Sequence, residues 1–225
     1  MSIDDAVPPG DGRFDDPYGG DIYTEPEGDP DTLGNLGPLG PMAGLWEGVK
    51  GVDQHPVVDG LERDVFMERY ELQPVDRQTN GPQLFYGLRY HTHIVKLGEI
   101  ETFHDQVGYW LWEPASSQVT FSLSIPRGQA LLASGYADPS ATEFEVRAVI
   151  GSSVHGILSN PFLDRAFRTV SFRLGVSIAA DGTWSYEEEA MLEVLGRDQP
   201  FAHIDRNTLS RISPPTPNPM AVMPN

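Results

Sequence analysis

Apolar and polar residues alternate along most of this chain with a period of two, as in strands that keep one face in a core and the other in water. The alternation is plainest in Val119-Thr-Phe121-Ser-Leu123-Ser-Ile125 and in Phe144-Glu-Val146-Arg-Ala148. Read this way, the sequence predicts ten strands: 44–51, 61–72, 83–95, 101–113, 118–125, 129–137, 143–150, 168–179, 183–195 and 201–212. Turn residues separate them, as in Thr79-Asn80-Gly81-Pro82, Pro126-Arg-Gly128 and Asp181-Gly182. Nearly consecutive strands with short connections favour an antiparallel meander, and closing it removes the exposed edges. The expected fold is all-β: a closed antiparallel barrel of about ten strands, wide enough inside for one small ligand. One stretch, 151–165, breaks the rhythm. There Asn160-Pro161 supplies an N-cap and a first-turn proline for a short helical insertion over 162–167, either a flap over the barrel mouth or a plug in its end.

Composition narrows the function. A length of 225 residues suits one β domain. Residues 1–32, rich in Asp, Glu, Gly and Pro, hold little to bury and read as a disordered or loosely docked acidic tail. Residues 33–213 form the barrel domain, and 214–225 are a second extended, proline-rich segment. A formal charge of -18 opposes binding to nucleic acid or to anionic membrane surfaces. The chain has no cysteine, so disulfides, thiolate metal sites and a cysteine nucleophile are excluded. With neither a basic-then-apolar leader nor an apolar run of about 18 residues, the expectation is a cytoplasmic protein.

Candidate chemistry concentrates in histidines. His203 shares a strand face with Phe201, Asp205, Asn207 and Leu209, so an inward His203 would bring a carboxylate and an amide with it. A neutral imidazole can ligate iron through one nitrogen while the other bonds a group that fixes its tautomer. The competing arrangement leaves His203, Asp205 and Asn207 on the wet face and puts Ile204 in the core. His104 shares a face with Gln106, Gly108, Trp110 and Trp112, aromatic company suited to a flat apolar ligand or to an ordinary barrel interior. His91 and His93 fall with Arg89 on a face that reads as solvated, while His55 and His155 read as isolated loop residues. In Glu187-Glu188-Glu189, alternation separates Glu188 from its neighbours, so no acid/base pair forms; one carboxylate could be buried beside an arginine such as Arg173. No nucleophile elbow, phosphate loop or dinucleotide fingerprint is present.

The order of these elements resembles the nitrobindin family, heme-binding β-barrels related in shape to fatty-acid-binding proteins. Leu39-Gly-Pro-Met-Ala-Gly44-Leu-Trp46-Glu-Gly48 looks like the family's opening Gly-x-Trp-x-Gly strand, and Phe103-His104-Asp-Gln-Val-Gly108-Tyr109 is similar to its His-x-Glu-x-Gly-Tyr strand. Pro126-Arg-Gly128 resembles its Pro-x-Gly hairpin, and 199–211 its closing strand with the heme-ligating histidine. The resemblance implies a ferric heme b held by His203, with His104 opposite, and Met191 and Trp110 close by. It implies nitric oxide binding or isomerisation of peroxynitrite to nitrate, making the chain a possible peroxynitrite isomerase. Two places depart from the pattern. The turn reads His55-Pro56-Val57-Val58 where the family has Tyr-Pro-Thr-Ile, and ungapped alignment on Leu209 and Arg211 puts Ile204 at the histidine's place. A one-residue slip reverses a strand's faces unless a bulge compensates. Two other functions stay open: a heme-free carrier of a fatty acid or other apolar small molecule, and an interaction module recruiting a partner through the insertion and the tail.

Overall fold

A computed structural model describes residues 17–216. Its sheet contains β1 Gly44–Val57, β2 Gly60–Asn80, β3 Gln83–Lys96, β4 Thr102–Glu113, β5 Gln118–Ile125 and β6 Gln129–Tyr136. It continues with β7 Glu143–Val149, β8 Ile157–Ser159, β9 Phe167–Ile178, β10 Trp184–Val194 and β11 Phe201–Ser213, and a short helix, α1 Pro161–Ala166, precedes β9. Neighbours pair antiparallel, β1 closes on β11, and β5 closes on β6. The result is a closed ten-stranded barrel, with three-residue β8 appended to β6.

Two strands run further than alternation suggests. β1 continues through Pro56 and β2 through Pro74. Proline removes a ladder donor and is tolerated at sheet edges. Both sit where one neighbour has ended: β1–β11 pairing stops at Gln54–Ile204, and β1 begins at Gly44, opposite Leu72 of β2. The insertion also differs from a simple flap. Leu132 donates its N–H to Gly156 O at 3.0 Å and Val149 to His155 O at 3.2 Å, so 155–159 fills a gap in the wall between β6 and β7.

The barrel has a closed end and an open one. Two 3-10 turns, Leu33–Asn35 and Gly37–Met42, press Leu36, Leu39 and Met42 into the end where β1 starts, all three fully buried. Gly37 permits this: its φ is +53°, and a Cβ there would sit 2.5 Å from the Trp112 indole. Trp46 Nε1 donates to Met42 O at 2.7 Å and ties the plug to β1. The described part of the acidic stretch lies against this end, where Tyr86 OH donates to Asp29 O at 3.2 Å and Thr79 Oγ1 to Glu25 at 3.0 Å. Residues 1–16 of that stretch and 217–225 lie outside the described residues.

Candidate functional site

The opposite end opens into a cavity of about 430 Å³ inside the barrel. Its walls are mostly apolar, with Ile94, Phe103, Leu123, Leu131, Phe172 and Leu192 among them, and Leu163 of α1 and Phe167 reach it from the insertion side. Trp110, Trp184, Tyr70 and Tyr186 form an aromatic floor. Beside it, Glu68 lines the cavity, buried and fully bonded, accepting from Thr92 Oγ1 at 2.7 Å, Tyr186 OH at 2.8 Å and Asn207 Nδ2 at 2.9 Å. Burial still pushes its carboxyl above the ordinary value, against those three hydrogen bonds.

His203 projects into the cavity, together with Asp205 on the same face of β11. Asn207 and Leu209, next along that face, are buried below. Ile204 takes the other face. The histidine one place early in the alignment is therefore the inward residue.

His203 does not stand alone. Its Nε2 lies 2.8 Å from Asp53 Oδ1 and 3.4 Å from Asp205 Oδ2, and His55 Nδ1 bonds the other Asp53 oxygen. Burial would raise the Asp53 carboxyl, but hydrogen bonds from His203 and His55 hold it below its ordinary value. Burial together with the Glu188 and Asp53 charges pushes Asp205 well up, and burial raises Glu188 to about 7.

Asp53 and His55 reach the cavity because β1 bulges. Between Gly48 and Gly51 one extra residue enters β1 against both β2 and β11. Before the bulge the even positions, Trp46 and Gly48, face inward; after it the odd ones do, Gly51, Asp53 and His55. In the sequence this strand ends at 51 and His55, beside Pro56, reads as an isolated loop residue; alternation carried on from Trp46 would in any case send both outward. The signal that could reveal it is Gly48-Val-Lys-Gly51, a pair of glycines spanning a strand interior.

His104 lies on the opposite wall, and a relay fixes its tautomer. Tyr90 OH donates to Ser122 O at 3.0 Å and accepts from Gln106 Nε2 at 2.8 Å, which turns the Gln106 carbonyl oxygen toward His104 Nε2 at 3.2 Å. His104 therefore carries its proton on Nε2 and a free lone pair on Nδ1. Burial lowers its pKa, so the ring is neutral at neutral pH.

Trp110 lines the floor, its Nε1 3.4 Å from Tyr70 OH. Met191 does not reach the cavity: β10 sends Trp184, Tyr186, Glu188, Ala190 and Leu192 inward, leaving Met191 on the outer face. Glu188 is inward with no arginine beside it among the described residues, since Arg173 pairs outside with Glu187 at 2.8 Å and Glu145 at 3.1 Å. His91 and His93 stay on the outer face, bonded to Asp105 and Thr102.

A family model for the THAP4-like, heme-binding beta-barrel domain matches residues 35–211, the whole barrel with its closing strand. The chain belongs to this family. It is also similar in structure to Rv2717c from M. tuberculosis, at a TM-score of 0.55 and 18% identity, over 80% of this chain and 97% of that one. No curated protein matches the sequence. The residues present fit the heme of this THAP4-like, nitrobindin family in three respects. Among the described residues, an inward imidazole stands near the mouth with its Nδ1 unpartnered, a neutral histidine faces it across apolar walls, and Arg127 lines the mouth without an ion pair. One adjustment is required: Asp53 holds His203 Nε2, so coordination through that nitrogen requires the carboxylate to let go.

Proposed function

We propose that the barrel binds ferric heme b through His203 and handles small nitrogen oxides, binding nitric oxide or isomerising peroxynitrite to nitrate. The observation that carries this is His203 projecting into a mostly apolar cavity opposite the neutral His104. A bound heme supplies an iron with an open coordination position. The chain does the rest. His203 holds, Trp110 and the apolar walls exclude water from the floor, and Arg127 at the mouth offers a cation to carboxylate side arms. His104 Nδ1, fixed as an acceptor by the Gln106–Tyr90 relay, can take a hydrogen bond but not give one.

Hemin titration followed by absorption is the test. A Soret band is expected at one hemin per chain. His203→Ala should abolish the coordinated spectrum, and His104→Ala should keep it while changing the rate at which nitric oxide or cyanide binds. A coordinated spectrum that survives His203→Ala sinks the assignment. The apolar lining also favours a second reading, a heme-free carrier of a fatty acid or similar molecule. Native extraction returning stoichiometric lipid, together with no Soret band, would establish it instead.

A further inference from the structure

Four inward carboxylates stand directly opposite one another across adjacent strands. Asp64 of β2 pairs with Asp53 of β1, Asp53 with Asp205 of β11, and Asp205 with Glu188 of β10. Like charges in such cross-strand positions destabilise a sheet. Lys96 answers Asp64. The ion-pair partners of Asp53 and Asp205 among the described residues are only the imidazoles of His55 and His203, and Glu188 has none. The row lacks a cation where His203 meets it.

The donor atoms there are already gathered. One oxygen each of Asp53 and Asp205 and a ring nitrogen of His203 lie within 4.8 Å of one another. Two metal bonds of 2.0–2.1 Å at the tetrahedral angle put donors about 3.3 Å apart. The observed separations from His203 Nε2 are 2.8 Å to Asp53 and 3.4 Å to Asp205, so small side-chain shifts suffice. His55 bonds the outer Asp53 oxygen, the usual place of a group that orients a ligating carboxylate. The cavity leaves the remaining coordination position open.

We propose that Asp53, His203 and Asp205 form a non-heme site for a first-row divalent metal ion, with His55 orienting Asp53 and one coordination position facing the cavity. Mixed imidazole and carboxylate donors suit zinc, iron(II), cobalt(II) or manganese(II) better than calcium. The site uses His203, so ion and heme exclude each other, and the barrel holds one or the other according to supply. This goes beyond the heme reading and does not depend on it.

The probe is Zn(II) by calorimetry and Co(II) by visible absorption, on heme-free full-length chain. One ion per chain is expected, with a rise in melting temperature. His203→Ala and the isosteric Asp205→Asn should each lose that ion, His55→Ala should weaken it about tenfold, and His91→Ala, at an outer-face histidine, should change nothing. Circular dichroism confirms that each variant is folded. No stoichiometric binding by the native chain, binding that persists in both Asp205→Asn and His203→Ala, or binding lost in His91→Ala overturns the proposal. The two readings separate in one variant: Asp205→Asn keeps His203, so it should still take hemin while refusing Zn(II).

Discussion

At the scale of single residues, Gly51 matters more than its size suggests. A Cβ there would stand 2.0 Å from the buried Phe66 ring, so the bulge that turns Asp53 and His55 inward requires glycine. Gly51→Ala should cost about 1–3 kcal/mol in denaturant unfolding through overpacking. It should also weaken whatever His203 binds, because Asp53 moves with the bulge; unchanged stability and unchanged hemin affinity would contradict this. Glu188 gives a pH signature. Burial pushes its carboxyl up to about 7 in the folded chain, from an ordinary 4.5. Between those values the unfolded chain has lost the proton that the folded chain keeps, so stability falls as pH rises across the window. Glu188→Gln in heme-free protein should therefore be more stable above pH 7, by about 1–3 kcal/mol. It should also melt with a flatter pH profile below that, Asp205 leaving a residual slope of the same sign. A variant no more stable than the native chain at pH 8 refutes the assignment.

At the scale of elements, α1 is short, and its position depends on one side chain. Asn160 accepts from the N–H groups of Phe162 at 2.8 Å and Leu163 at 3.0 Å, and donates to Arg127 O at the β5–β6 turn. That one residue caps the helix and ties it to the cavity mouth. Asn160→Ala should cost about 1 kcal/mol and, by loosening Leu163 over the cavity, speed hemin loss to an acceptor globin; unchanged release would show that α1 does not gate the site. Elements were also where the sequence was most and least legible. The residues that share a face on β11 could be read because alternation runs unbroken from Leu209 up to His203, but which face turns inward could not, since polar His203, Asp205 and Asn207 compete there with apolar Ile204; the Asn160-Pro161 cap marks α1 to within a residue. β1 could not be read past Trp46, since a bulge reverses faces without any change in hydrophobicity. Met191 was misplaced by likeness alone, although alternation from Trp184 already sends it outward. The carboxylate row was invisible for a different reason: it exists only in the register between four strands, which no single strand's pattern contains.

At the scale of the whole molecule, the plug of Leu36, Leu39 and Met42 closes one end, so among the described residues the barrel opens at the other, and the wall beside that opening is its weakest pairing. β6 and β7 share a single register pair, Ser134–Arg147, whereas β9 and β10 pair along the whole of β10. Toward the mouth the gap is bridged by 155–159, which pairs with 129–131 of β6 and takes bonds from Leu132 and Val149, so β7 is held there through the single bond from Val149. A closed barrel has no free edge to fray from, so local opening should begin where the ladder is thinnest and backbone groups reach water most cheaply. Widening there would enlarge the mouth beside α1 and ease the entry of a flat ligand. Hydrogen exchange read by mass spectrometry should accordingly find 129–136 and 143–159 exchanging well before β2 and β3, which pair on both sides. Hemin should slow exchange in those two segments, because a ligand on His203 that contacts Leu131, Leu163 and Phe167 favours the closed wall. If β6 and β7 are as protected as β2 and β3 in the empty barrel, the seam is not the entrance and the ligand passes through the standing mouth.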